Sequence, residues 1–379
     1  VLTGALMLGN YDTRFETAIA SDLPAFLVSP THGLESSTAA ERQLAALRGH
    51  AAGKGGQAIG LAPARDGAKL PLLGRAPDFT GTGRWFNTPA GQPLTLASLR
   101  GRVVLVDFWT YSCVNCIRTL PYLKAWYATY HSQGLEIVGV HSPEFAFEKV
   151  ASNVASAIQA EGLRYPVVQD NNLATWNAYN NEYWPGEYFI DAHGNVRHAH
   201  FGEGDYSNNE RVIRSLLAEA GGRTTARTAS AQGVITAATN TTPESYLGAA
   251  RAERFVNGPI RDSSQDFGSP RAPGPDGLSY AGRWSIGKET ATSEGGTLSL
   301  NFKAQHVYLV TGGTGTRKIH LLLDGRPLPA GDEGPDVHHA SVSASSERLY
   351  ALLSLPSVQR HTLTLEPQPG ARLFVFTFG

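Results

Sequence analysis

Seven consecutive residues, Val103–Trp109, read VVLVDFW. A run this apolar fits a central strand covered on both faces, the kind that belongs to a parallel or mixed sheet with helices on either side. Directly behind it stand Cys113 and Cys116, the only two cysteines among 379 residues. From Asn115 to His131 the apolar residues Ile117, Leu120, Leu123, Trp126, Tyr127 and Tyr130 recur at helical spacing. Pro121 is expected to kink that helix. The chain therefore places its entire sulfur supply at the junction of a buried strand and a helix.

The remaining pattern extends this unit. LEIVGVHS (Leu135–Ser142) reads as a second buried strand, followed by a helix from about Phe145 to Glu161. YPVVQD, GEYFID and NVRHAHF read as further strands, the last two joined by the turn signal AHGN at Ala192–Asn195. A closing helix is expected over Asn208–Gly222, ending in glycines. Strands alternating with helices and ending in a hairpin and a helix give an α/β domain over residues 71–222. Residues 223–242 are small and polar and read as a linker. From 243 to 379 the pattern changes to strand-like runs such as TLSLNFKAQHVYLVTG and RLFVFTFG, separated by Gly, Pro and Asp turns. That segment is expected to be an all-β sandwich of jelly-roll type. Residues 1–70 read as a tether with one modest helix within Ser36–Gly53, preceded by VLTGALMLGN, the end of a membrane helix too short to span on its own.

Composition excludes some partners. The formal net charge is -1 and no Lys/Arg run occurs, so nothing favours nucleic acid. Two cysteines alone do not fix the redox compartment.

A thiol at the first turn of a helix meets unpaired backbone N–H groups and the positive end of the macrodipole, and both favour thiolate. Cys113 is placed there as an exposed nucleophile. Cys116, one turn further in, is placed to attack the mixed disulfide and release product, an intramolecular step with a high effective concentration. That step requires Cys116 to lose a proton. Asp107, an acid inside an apolar strand, is the candidate acceptor, because desolvation raises a carboxyl toward neutral pH. Trp109 is expected to shield one side of the site. In NEYWPGEYFID (Asn181–Asp191), Trp184 and Pro185 precede a strand in a position suited to a cis X–Pro turn beside the cysteines, leaving backbone groups free for an extended substrate.

These residues carry a resemblance. VDFW followed by C-x-x-C, a helix containing Pro, and a late Trp–Pro before a hairpin resembles the thioredoxin superfamily in its extracytoplasmic TlpA/ResA-like branch. The strings DFWTYSCVNCIRTLPYLKAWY, GVHSPEFAFEK, YWPGEYFIDAHGNVRHAHFGEGDY and TPESYLGAARAERF are similar to the soluble portion of DipZ-type proteins. The resemblance implies a thioredoxin-like fold followed by a carbohydrate-binding-module-like sandwich. It implies a thiol:disulfide oxidoreductase at the outer face of the cell membrane, working as a reductase. A CcdA-like membrane domain would be the electron donor, and oxidised extracytoplasmic proteins the substrates. It implies Cys113 as nucleophile, Cys116 as resolving thiol and Pro185 as cis-proline, with Glu144 of SPEF sharing or replacing the role of Asp107. Trp109 and Trp184 are the expected substrate-side aromatics. No cofactor beyond the redox-active disulfide is expected. Val114 and Asn115 between the cysteines match neither the Pro of reducing thioredoxins nor the His of strong oxidants. A disulfide-forming oxidase, or an envelope glycan- or partner-binding protein with a redox-sensing dithiol, are the rival readings.

Other signals are weaker. His198 and His200 share one face, expected to be solvated, and make a poor second half for a zinc site. A peroxiredoxin-type peroxidase needs a Pro where Val106 stands, although Thr110 fits. GGTGTRK (Gly312–Lys318) lacks Walker spacing and reads as a hairpin turn. Tyr280, Trp284, Tyr308 and Tyr350 offer either a sugar-stacking platform or a sandwich core.

Overall fold

The computed structural model describes residues 70–221, 228–232 and 240–379, which fall into two compact units. The expected membrane-helix end, the tether with its helix at Ser36–Gly53, and most of the linker lie outside the described residues.

The first unit is built on a seven-stranded mixed sheet. Its strands in chain order are β1 (Gly74–Arg75), β2 (Trp85–Phe86), β3 (Val103–Trp109), β4 (Leu135–His141), β5 (Val167–Gln169), β6 (Gly186–Ile190) and β7 (Asn195–Phe201). They lie side by side as β1-β7-β6-β3-β4-β5-β2. The apolar run β3 occupies the centre and is buried at every position. It pairs in parallel with β4 and antiparallel with β6. Four helices complete the unit: α1 (Val114–Tyr130), α2 (Ala151–Glu161), α3 (Ala174–Ala178) and α4 (Tyr206–Glu219).

Alternation along β3 sorts its side chains onto two faces. Val104, Val106 and Phe108 join a cluster with Val138, Val140, Trp176, Tyr179, Tyr188 and Ile190. Phe108 is its hub, meeting Trp176, Tyr179 and Tyr188 edge-on at 5.3–5.7 Å. Asp107 points to the opposite face. There Asn209 of α4 reaches the sheet by donating to Glu187 of β6.

Several expectations are corrected in detail. The helix expected from Phe145 begins only at Ala151. A 3-10 turn, Ala146–Lys149, comes first, and Val150 is extended between the two. The reason is local: the Glu148 carboxylate binds the backbone N–H groups of Glu144 and Phe145 and closes a separate turn. Helix α1 carries Pro121 within its span, as the sequence placed it. The short edge strands β1 and β2 and the helix α3 carry too few residues for any periodicity to mark them. His198 and His200 are buried rather than solvated, because the face they share is covered: Glu187, directly opposite His200, is bound by α4.

The second unit is an all-antiparallel β structure of eleven strands among the described residues, running from Ser245–Tyr246 to Ala371–Phe378. Two long bent strands, Thr297–Gly313 and Arg348–Pro367, pair along most of their length. Their alternate residues Leu298, Leu300, Phe302, Leu363 and Leu365 fill the core. Of the four aromatics read as a sugar platform or a core, Tyr280, Trp284 and Tyr350 are fully buried core members, and Tyr308 is buried as well. The stacking platform is therefore not formed. GGTGTRK joins the strands Thr297–Gly313 and Arg317–Leu323, but it is not the expected hairpin turn: the two strands do not pair with each other, because Arg348–Pro367 lies between them and pairs with both. No helix among the described residues is long and apolar enough to cross a membrane.

The Phe108 hub yields a direct check. Phe108→Ala removes a ring with no exposed surface from four-way aromatic packing and is expected to cost about 3–5 kcal/mol. Urea denaturation measures this, and an unchanged midpoint contradicts the packing described.

Candidate active site

Cys113 sits at the N-cap of α1, immediately after the turn that leaves β3. Its own N–H donates to the Thr110 carbonyl at 3.3 Å, and the Cys116 N–H donates to Cys113 Sγ at 3.2 Å. The cap is thus a sulfur in place of the usual hydroxyl or carboxylate, and it receives one of the orphan amides of the first turn. Both cysteines are free thiols, Cys113 half-buried and Cys116 1% exposed. Burial pushes the Cys116 thiol well above its ordinary value. The hydrogen bond and charge of Cys113 push the same way, and so does the charge of Asp107.

Of the two residues between the cysteines, Asn115 is tied down by its side chain. Asn115 Oδ1 accepts from Arg118 Nη2 at 2.6 Å. Arg118 in turn forks onto Glu203 of the loop after β7, with two contacts of 2.7 Å. Arg118 is 3% exposed, so this is a bidentate pair largely removed from water.

Opposite the cysteines lies the loop that leads into β6. The Trp184–Pro185 peptide is cis. The Trp184 carbonyl lies 3.9 Å from Cys113 Sγ. The indole N–H of Trp184 donates to the Ser142 carbonyl at 2.9 Å, and its ring packs on Trp176. Asn181 ties the loop down, donating to the Tyr183 carbonyl and accepting from the Tyr188 hydroxyl. Gly186 leaves room for it: a Cβ there would lie 2.4 Å from Asn181 Oδ1.

Asp107 is 1% exposed and neither carboxyl oxygen has a hydrogen-bond partner. Burial raises its pKa well above the usual carboxylate range, and the charge of Glu187 adds to the effect. Glu187, its cross-strand partner, is fully buried and pushed up to about 7, chiefly by desolvation. His141, at the end of β4, stacks on Tyr111 and lies 3.3 Å from the Thr110 hydroxyl. Burial lowers its pKa to about 3, so it is neutral at physiological pH.

Two expected residues take other positions. Trp109 has no exposed surface. Its ring is edge-on to His141 and walls the site from within, so it is not a surface that a substrate meets. Glu144 is half-buried at the SPEF turn, and its charge bears on Glu148. The carboxylate tied to the cysteine loop is Glu148. It accepts from Ser112 Oγ at 2.5 Å while binding the amides of Glu144 and Phe145, and burial pushes it up to about 7. The structure thus brings Cys113, Cys116, Asp107, Trp184 and Pro185 together around one thiol pair. It adds Glu187, Glu148 and the Arg118–Glu203 clamp, which sequence reasoning missed. Glu187 in GEYFI is, like Asp107, an acid in a buried strand, and that is the signal that would have found it.

Residues 73–199 match the AhpC/TSA family, and residues 242–379 match the family described as "Thioredoxin like C-terminal domain". Over 143 residues the chain is 32% identical to the thiol-disulfide oxidoreductase ResA of Geobacillus kaustophilus, covering 37% of this chain and 75% of ResA. This chain belongs to the thioredoxin-like thiol-disulfide oxidoreductase family. It is also 41% identical over 325 residues to Protein DipZ of Mycobacterium bovis, covering 84% of this chain. It spans 45% of the length of that relative. A solved thioredoxin family thiol:disulfide interchange protein from Chlorobium tepidum is 26% identical. It covers 40% of this chain and 98% of that one, with a TM-score of 0.32.

Two expected outcomes follow from the site. Gly186→Ala forces Asn181 off its two partners and shifts the Trp184 carbonyl. Disulfide-exchange turnover is expected to fall roughly ten- to a hundred-fold, and a variant with wild-type turnover refutes the close-approach argument.

The second concerns pH. A carboxyl raised in the folded state gives its full stabilisation below the unfolded pKa and loses it as pH rises through the folded value. Glu148 and Glu187 at about 7, with Asp107 also raised, therefore destabilise the fold as pH climbs. His141 opposes this only in acid, where its stabilisation is lost as pH falls from about 6.5 toward 3. The melting temperature is thus expected to decline between about pH 5 and about pH 7, where the unfolded carboxyls have lost their protons and the folded ones still hold them, with a shallower slope in Glu148→Gln. Calorimetry across that interval tests it; a flat or rising melting temperature contradicts it.

Proposed function

We propose that this chain is the outward-facing catalytic part of a membrane-linked thiol:disulfide reductase. In this reading Cys113 attacks a substrate disulfide, forming a mixed disulfide and releasing one substrate thiolate. Cys116 gives up its proton and attacks Cys113 Sγ. The second substrate thiolate leaves, and a Cys113–Cys116 disulfide remains. A CcdA-like membrane domain of the longer protein then returns two electrons to that disulfide, and the site acts at the extracytoplasmic face of the cell membrane on oxidised proteins.

The observation that carries this reading is the asymmetry of the pair. Cys113 is half-open at a helix N-cap with its thiol directed at the Trp184 carbonyl, whereas Cys116 is sealed one turn behind it with a buried acid. An attacking sulfur should be reachable and a resolving sulfur protected, because premature ionisation of the second thiol gains nothing. The Trp184 carbonyl near Cys113 is suited to an extended substrate segment that pairs through its backbone. The electron-donor and location assignments rest on the likeness to DipZ-type proteins.

Insulin reduction by the wild type and by Cys113→Ser tests the catalytic claim. Loss of turnover by at least about a hundred-fold is expected, since the residue forms the covalent intermediate; a fully active variant removes the claim. The direction is read from the Cys113–Cys116 potential against glutathione. A value below the glutathione couple is expected, and one well above it makes the protein an oxidase.

A further inference from the structure

The acid behind the thiols does not stand alone. Asp107 of β3 and Glu187 of β6 are directly opposed in the antiparallel ladder, and His200 of β7 is opposed to Glu187 in turn. Opposed residues in such ladders share a face, with Cβ atoms about 4.5–5.5 Å apart. The three side chains therefore form one row across three strands. Both acids are buried. Three of their four carboxyl oxygens, both of Asp107 and Oε1 of Glu187, have no hydrogen-bond partner. The fourth, Glu187 Oε2, accepts from Asn209 Nδ2 at 2.8 Å. Arginine and lysine form no ion pair with either acid among the described residues.

Two carboxyl groups opposed on one face of adjacent strands and both out of water are costly to ionise together, and a single proton between them relieves both. We propose that Asp107 and Glu187 act as one acid pair sharing a single proton, and that this pair, not Asp107 alone, accepts the proton that Cys116 sheds when it resolves the mixed disulfide. The proposal rests on the dithiol-exchange reading above. Before the step the pair carries one negative charge and Cys116 is neutral. The Cys116 S–H bond breaks and its proton moves to the pair, which becomes neutral. The sulfur electron pair forms the bond to Cys113 Sγ, and the substrate sulfur leaves with the electrons of the bond that breaks. The proton then returns to solvent or to the departing thiolate. The pocket keeps one unit of negative charge until the substrate leaves, so no second charge is ever created in a dry site.

Glu187 is in this scheme a positioning residue that works through Asp107. The other groups facing the pair are few. Cys116 lies in the first turn of α1, with Cys113 at the N-cap before it. Tyr165, fully buried with an unpartnered hydroxyl, precedes β5. Tyr206 and Asn209 come from α4. His200, when protonated, favours the ionised form of Glu187. On the β4 side Asp107 is opposed by Gly139, which brings no side chain, and a Cβ there would press on Trp109 and Tyr165.

The test is a carboxyl titration by NMR of the full reduced chain, labelled with carbon-13 at Asp and Glu carboxyls, from about pH 4 to about pH 10. Asp107 and Glu187 are expected to report the same two inflections, more than about one pH unit apart. In Glu187→Gln, Asp107 is expected to show one inflection at lower pH, shifted by about one unit or more. In Asp107→Asn, Glu187 likewise keeps one. A single Asp107 inflection at the same pH in wild type and Glu187→Gln overturns the proposal. Should the Gln variant not fold, the wild-type titration alone still decides between paired and separate acids. A kinetic arm follows resolution of a preformed mixed disulfide against pH. Glu187→Gln is expected to change the profile in the wild-type background and to add nothing to Asp107→Asn; an additive effect counts against the pair. Because the titration uses no substrate, failure of the shared proton and failure of dithiol exchange in the Cys113→Ser comparison appear as separate results.

Discussion

Burial of β3 from end to end is the constraint on which the site depends. A strand without a solvated face forces any ionisable side chain it carries into a low-dielectric setting, where the neutral form is favoured. The same burial fixes where the strand stops, because the chain leaves the sheet only at Thr110 and reaches Cys113 three residues later. Thiol placement and acid tuning are therefore one consequence of one packed element. The neighbours reinforce it from both sides: β4 ends in a neutral buried histidine, and β6 begins with the glycine and glutamate that follow the cis peptide.

Much of this was legible in the sequence, and for a definite reason. Long, strongly patterned elements such as VVLVDFW and the helix after it announce themselves through periodicity, and the C-x-x-C between them carries its chemistry in its spacing. The change at residue 243 to strand-like runs with Gly and Pro turns was equally plain. What escaped was everything that depends on pairing across the fold. Glu148 and Glu144 are close in sequence, and only the turn geometry decides which carboxylate reaches Ser112. The His198–His200 face reads as solvated by alternation alone, because alternation does not reveal that α4 covers it. Trp109 illustrates the same limit: its type suggests contact with a visitor, whereas the register of β3 turns it inward.

The match to the AhpC/TSA family over residues 73–199 is a match of the framework that carries the thiols. Chemistry is set by what stands around the sulfur, since one fold hosts several reactions. Here Val106 lies buried within β3, where a peroxidatic site of the peroxiredoxin kind needs proline, and a second cysteine waits one helical turn away. Those surroundings belong to exchange between sulfurs, in keeping with the likeness to ResA.

The Arg118–Glu203 fork has a consequence for how the motif is presented to a partner. A lone guanidinium two residues past the second thiol would lend its positive charge to whichever sulfur is anionic. Paired bidentately with a carboxylate, it contributes almost no net field and becomes a brace instead. The Asn115 side chain is pinned to that brace, which fixes the residue directly before the second thiol. With Val114 and Asn115 both buried, what the motif leaves open to an approaching sulfur is Cys113 itself.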